Sequence, residues 1–131
     1  MAPLTITAVY ALPLAAIYLV LWFRVTQMRA ALGISIGDAG NPTLHERIRC
    51  HGNFVEWVPM VLILMIIAES LGADAIYVHI TGALLVLGRL AHPFGLKAEK
   101  ATHVLRIVGN SANILATLNV MVCLAVRSLG Y

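Results

Sequence analysis

The chain has 131 residues, 60% of them hydrophobic and 11% charged, with a mean hydropathy of +0.88. That balance excludes an ordinary water-soluble domain and points to an integral membrane protein. The formal net charge of +3 is gathered in two loop regions, so it reads as a topology signal rather than a footprint for nucleic acid.

Four apolar stretches, 4–23, 54–71, 75–90 and 104–126, approach the roughly 20 residues that a helix needs to cross about 30 Å of hydrocarbon. With their polar extensions they predict an all-α, single-domain membrane four-helix bundle, with spans over about 4–27, 42–71, 74–92 and 101–127. No Lys or Arg precedes the first apolar run, and that run is too long for the core of a secretion signal, so it reads as a retained first span. The glycine-rich stretch 33–40 lacks the lysine and the spacing of a phosphate-binding loop and predicts a flexible connector.

Asn41-Pro42 then supplies a cap and a first-turn proline. The second helix therefore begins well before its apolar part, and its first turns carry Glu46, Arg47, Arg49, His51 and Asn53. The connection at 70–74 has no basic residue and is flanked by Glu69 and Asp74. His92-Pro93-Phe94-Gly95 ends the third helix, and the fourth is expected to start near 99–102. Arg24, Arg29, Arg47 and Arg49 follow the first span, and Arg89, Lys97, Lys100 and Arg106 border the loop before the fourth. This bias places both basic loops in the cytoplasm and both termini outside. Cys50 and Cys123 fall near opposite ends of their helices, so no disulfide is expected.

Ionised side chains at membrane depth cost several kcal/mol unless paired or solvated, and they persist where they bind something. At about 100° per residue, Arg49, Asn53 and Glu56 point the same way along the second helix. Arg106, Asn110, Asn113 and Thr117 form a second polar stripe on the fourth. Asn113, Thr117 and Asn119 also suit ties between helices. Arg49 and Glu56 are seven residues apart, about 10 Å along the axis, and on this spacing each is expected to need a partner other than its neighbour on the same helix. A ligand with carboxylates and an ammonium group satisfies both signs, since arginine clamps carboxylates and Glu holds an ammonium.

The order Arg49-x-x-x-Asn53-x-x-Glu56, followed by Pro59 and an apolar run, resembles the signature of the MAPEG family, the membrane-associated proteins of eicosanoid and glutathione metabolism. Gly88-Arg89-Leu90-Ala91-His92-Pro93-Phe94-Gly95 is similar to that family's second motif, and the likeness is greatest to its small bacterial members. The resemblance implies a homotrimer in a bacterial inner membrane, binding glutathione between subunits near the cytoplasmic side. It implies that Arg49 holds a carboxylate, Asn53 and Glu56 the γ-glutamyl end, Arg29 a carboxylate from the adjacent subunit, and that His92 contacts the tripeptide. Lowering a thiol pKa from about 8.5 by two units takes about 2.7 kcal/mol of thiolate stabilisation. The family's arginine near the start of the fourth helix corresponds to Arg106 or, in another register, the position is held by His103. Many relatives carry a tyrosine four residues after the His92 position, where this chain has Leu96. The implied activity is that of a glutathione transferase or peroxidase acting on lipophilic electrophiles or hydroperoxides drawn from the membrane lipid.

Three alternatives accompany this reading. A non-enzymatic lipid-binding or scaffold protein of the same fold would use Tyr10, Tyr18, Trp22 and Trp57 as interface anchors. A small proton-coupled exporter needs a carboxylate deep in a helix, and Glu56 lies close to the boundary instead. A haem bundle needs facing histidines, for which His51 and His92 are the candidates. The sequence has no HExxH and no Cys/His pair at ligand spacing, so no metal site is expected.

Overall fold

The computed structural model describes residues 4–97, 99, 100 and 102–130. Among these, four helices follow in order: α1 Thr5–Leu32, α2 Pro42–Ser70, α3 Ala75–Gly95 and α4 Val104–Ser128. Each is long and apolar enough to cross a membrane. The shortest, 21 residues, spans about 31 Å at 1.5 Å per residue. The fourth helix starts after the expected 99–102, because His103 turns out of the helix and caps it; position 101 lies outside the described residues.

The helix ends follow from local chemistry. Asn41 accepts the Leu44 N–H at 2.9 Å, with Pro42 in the first turn of α2. Asp74 accepts the Ile76 N–H and starts α3. α1 ends at Gly33, whose φ of 66° lets its own N–H and that of Ile34 return to the carbonyls of Ala30 and Arg29. The start of α1 is different. Leu4 offers no side-chain cap, and Glu69 at the far end of α2 accepts the N–H groups of Ile6 and Thr7, each at 2.8 Å. A carboxylate there also complements the positive end of the α1 dipole.

The connector between α1 and α2 is held, contrary to the flexible reading. Arg29 donates to the Gly37 carbonyl at 2.8 Å, and His45 Nδ1 meets Asp38 Oδ2 at 2.6 Å. The Gly40 N–H and His45, in that order, hold the Asp38 carboxyl below its ordinary pKa.

α3 and α4 approach closely enough that only glycine fits. A Cβ on Gly109 would come within 2.9 Å of the Gly88 carbonyl and 2.8 Å of His92 Cβ, and one on Gly95 would collide with the Arg106 backbone. Small residues that let backbones touch are the usual means of helix association in lipid. The buried apolar residues, among them Leu14, Phe54, Val61, Met65 and Leu85, line the centre of the bundle. Val9, Leu12, Phe23, Leu87 and Val122 stay exposed, as expected of a surface solvated by acyl chains.

Candidate functional site

The start of α2, the end of α3 and the start of α4 enclose a cleft of about 310 Å³. Four of the expected site residues line it: Arg49, Asn53, His92 and Arg106. They share it because the extended N-terminal turns of α2 lie beside the Gly95 crossing, where Arg106 packs against α3. Sequence reasoning did not assign His45, Glu46, Lys97 and Asn110, which also line the cleft; Lys97 Nζ lies 3.4 Å from Glu46 Oε2. Leu96, where many relatives carry tyrosine, is part of the same wall. With Arg49, Lys97 and Arg106 against Glu46, the lining is net cationic and suits a ligand that carries more than one carboxylate.

Three expected residues stand outside this lining. Arg29 is turned to the connector, as described above. His103 caps α4, its Nδ1 accepting the Leu105 N–H at 3.2 Å. Glu56 is one turn beyond Asn53 on α2 and pairs with Arg49, Nη1 to Oε1 at 3.4 Å.

That contact corrects the expectation that Arg49 and Glu56 lie out of each other's reach. Two turns separate their backbones, but Gly52 lies between them and presents no side chain. A Cβ there would sit 3.6 Å from Arg49 Nη1 and 3.9 Å from Glu56 Oε1. The two long side chains therefore meet over a bare patch of helix. Both are about half exposed, at 48% and 53%, so the pair contributes about 0–1 kcal/mol and opens at little cost.

A second correction concerns Arg89. Read from the sequence as a charge bordering the cytoplasmic loop, it is 1% exposed and sits among the helices. Its Nε donates to Asn113 Oδ1 at 3.0 Å, and its Nη1 donates to Asn53 Oδ1 at 2.8 Å. The two polar stripes thus converge on a guanidinium supplied by α3. A signal for this existed: Thr81, Leu85, Arg89 and His92 recur at helical spacing on one face, and all four are buried. The stripe on α4 also divides. Arg106 and Asn110 line the cleft, Asn113 ties to α3, and Thr117 donates to the Asn113 carbonyl of its own helix. Asn119 crosses to the Tyr77 carbonyl and Thr81 Oγ1.

Among the described residues, no three His, Cys, Asp or Glu side chains gather as a metal site would require. Cys50 and Cys123 are both free. His51 faces Tyr18, ring centroids 5.3 Å apart.

Comparison with known proteins agrees with this architecture. The model of the MAPEG family matches residues 7–126. The chain belongs to the MAPEG family. It is also 38% identical over 90 residues to the inner membrane protein YecN of Escherichia coli K12, covering 69% of each chain. The YecN protein of E. coli O6:H1 strain CFT073 matches to the same extent. No solved structure matches the chain.

Proposed function

We propose that this MAPEG protein binds glutathione in the cationic cleft and directs its thiol against a lipophilic electrophile or hydroperoxide. The observation that carries the reading is the convergence of Arg49, Asn53, His92 and Arg106, from three helices, on one polar cleft at one end of the bundle. Glutathione supplies two carboxylates, one ammonium and the reactive thiol. The donor set fits: guanidinium groups for the carboxylates, Glu56 for the ammonium, and the amide NH2 of Asn53, whose oxygen is already committed to Arg89.

In this reading Arg49 leaves its weak pair with Glu56 and clamps a carboxylate, which frees Glu56 for the ammonium. Arg106 lines the cleft and carries a permanent charge, which favours it over the capping His103 as the group that holds the thiol ionised. His92, 2% exposed, forms the inner wall and limits water.

The oligomer is a proposal of the same kind. A half-exposed ion pair continues on α2 into exposed Met60 and Ile63, and charge on that surface is costly against acyl chains. A homotrimer covers it and brings Arg29 to the neighbour's cleft. The name of the E. coli relative and the distribution of basic residues support an inner membrane setting, with the cleft facing the cytoplasm and the termini the periplasm.

Leu96 in the cleft wall favours one second reading, a glutathione or lipid binder without strong turnover, because no phenol stands there. Conjugation of glutathione to a generic aromatic electrophile by detergent-purified protein tests both. Arg49→Ala is expected to raise KM and Arg106→Ala to lower kcat. Glutathione binding without turnover favours the binder, and absence of both defeats the proposal.

A further inference from the structure

His45 lines the polar cleft from near the start of α2, and Asp38 reaches it from the connector that precedes the helix. The carboxylate is fixed twice. Its Oδ1 accepts the Gly40 N–H at 2.9 Å, and its Oδ2 meets His45 Nδ1 at 2.6 Å. An ionised carboxylate only accepts, so the proton of the second contact sits on Nδ1 and the lone pair of the neutral imidazole is on Nε2. Among the described residues Nε2 makes no hydrogen bond. The connector thus holds an imidazole at the cleft with one nitrogen oriented by a carboxylate and the other left as an acceptor.

The other ionisable groups on the cleft wall do not offer this combination. Arg49, Lys97 and Arg106 are cations without a lone pair. Glu46 faces Lys97, and His92, 2% exposed, is sealed in the wall beside Gly109 of α4. The His45 side chain is 56% exposed, so a proton placed on it passes directly to water.

We propose that His45 is the general base of the cleft, taking the thiol proton of glutathione on Nε2, and that Asp38 is its positioning residue. The proposal rests on glutathione binding in the cleft and divides the chemistry between two groups. Arg106 stabilises the charge of the thiolate, and His45 removes the proton. The S–H bond breaks, its electron pair stays on sulfur, and the imidazolium that forms is stabilised by the Asp38 carboxylate. With an activated aryl chloride the thiolate then forms the C–S bond, chloride leaves with the C–Cl pair, and the proton on Nε2 passes to water.

The test mixes full-length protein in detergent rapidly with glutathione and follows the ultraviolet absorbance of the thiolate, with affinity measured by calorimetry on the same samples. His45→Ala is expected to slow thiolate formation about a hundredfold while leaving its final amplitude and the affinity unchanged, and added imidazole is expected to restore the rate. Arg106→Ala is expected to lower the amplitude instead. Asp38→Asn is expected to slow the same step, and Asp38→Glu to recover part of it. An unchanged rate in His45→Ala, or a slowed rate that imidazole does not restore, overturns the assignment while leaving glutathione binding intact. Absence of glutathione binding by the unaltered protein overturns the proposed function and this assignment together.

Discussion

Arg89 Nη1 donates to Asn53 Oδ1 at 2.8 Å, joining a buried cation of α3 to a side chain that lines the polar cleft. Asn113 completes the arrangement from α4. Three helices are thus held in register by one guanidinium, and the position of Asn53 depends on it. Asn113→Leu removes an acceptor for a buried charge and is expected to cost about 2 kcal/mol. Thermal unfolding in detergent reads the loss. If the cleft depends on this tie, glutathione affinity falls in the same variant although Asn113 does not line the cleft.

Gly95 and Gly109 predict a second outcome. Gly109→Ala and Gly95→Ala each force α3 and α4 apart, because the added methyl meets backbone rather than the end of a side chain. Overpacking of this kind costs about 1–3 kcal/mol. Since Arg106 is the residue that Gly95 contacts, Gly95→Ala is expected to impair turnover more than glutathione binding, and steady-state kinetics separate the two.

The start of α1 depends on Glu69. Glu69→Gln keeps the shape but replaces one of two carboxylate acceptors with an NH2 group facing an amide donor. Its cost is expected to be about 1 kcal/mol, in the range of a lost helix cap. Hydrogen exchange of the Ile6 and Thr7 amides checks it directly, since faster exchange there with unchanged exchange in the middle of α1 locates the effect.

The connector between α1 and α2 carries a pH dependence of known sign. The Asp38 carboxyl lies below its ordinary value of 3.8 because it accepts from Gly40 and meets His45. A carboxyl depressed in the folded state stabilises above its unfolded value, and that contribution is lost as pH falls through the folded one. Protease cleavage within 33–41 is therefore expected to rise as pH falls below about 3.8, measured with an acid-active protease. Asp38→Asn should be cleaved readily at every pH.

The Arg49–Glu56 pair gives a final prediction. Glu56→Gln removes an exposed pair worth about 0–1 kcal/mol, so the melting temperature is expected to change little. If Glu56 receives the ammonium of glutathione, affinity falls about tenfold or more, a loss of about 1.4 kcal/mol. Unchanged affinity would remove Glu56 from the site.

Much of the fold was legible because membrane solvation constrains sequence so strongly. Four apolar stretches of spanning length, an Asn41-Pro42 start and the Gly95 stop each have a local physical cause. The polar stripe of α2 was visible for the same reason, since charge beside an apolar run has few explanations. Arg89 was not legible as a site. Its charge fitted the positive-inside pattern, and nothing local distinguishes an arginine that snorkels to a headgroup from one that turns toward its neighbours.

By itself the sequence determined the four spans, their order and the polarity of each helix end, because hydrocarbon thickness and backbone hydrogen bonding act on each segment separately. Only the tertiary structure decided which polar groups meet. It placed Arg89 between Asn53 and Asn113, brought Arg49 to Glu56 across Gly52, and sent Glu69 to the start of α1. Those pairings depend on how helices cross at glycine contacts, and such distances arise only when the helices pack.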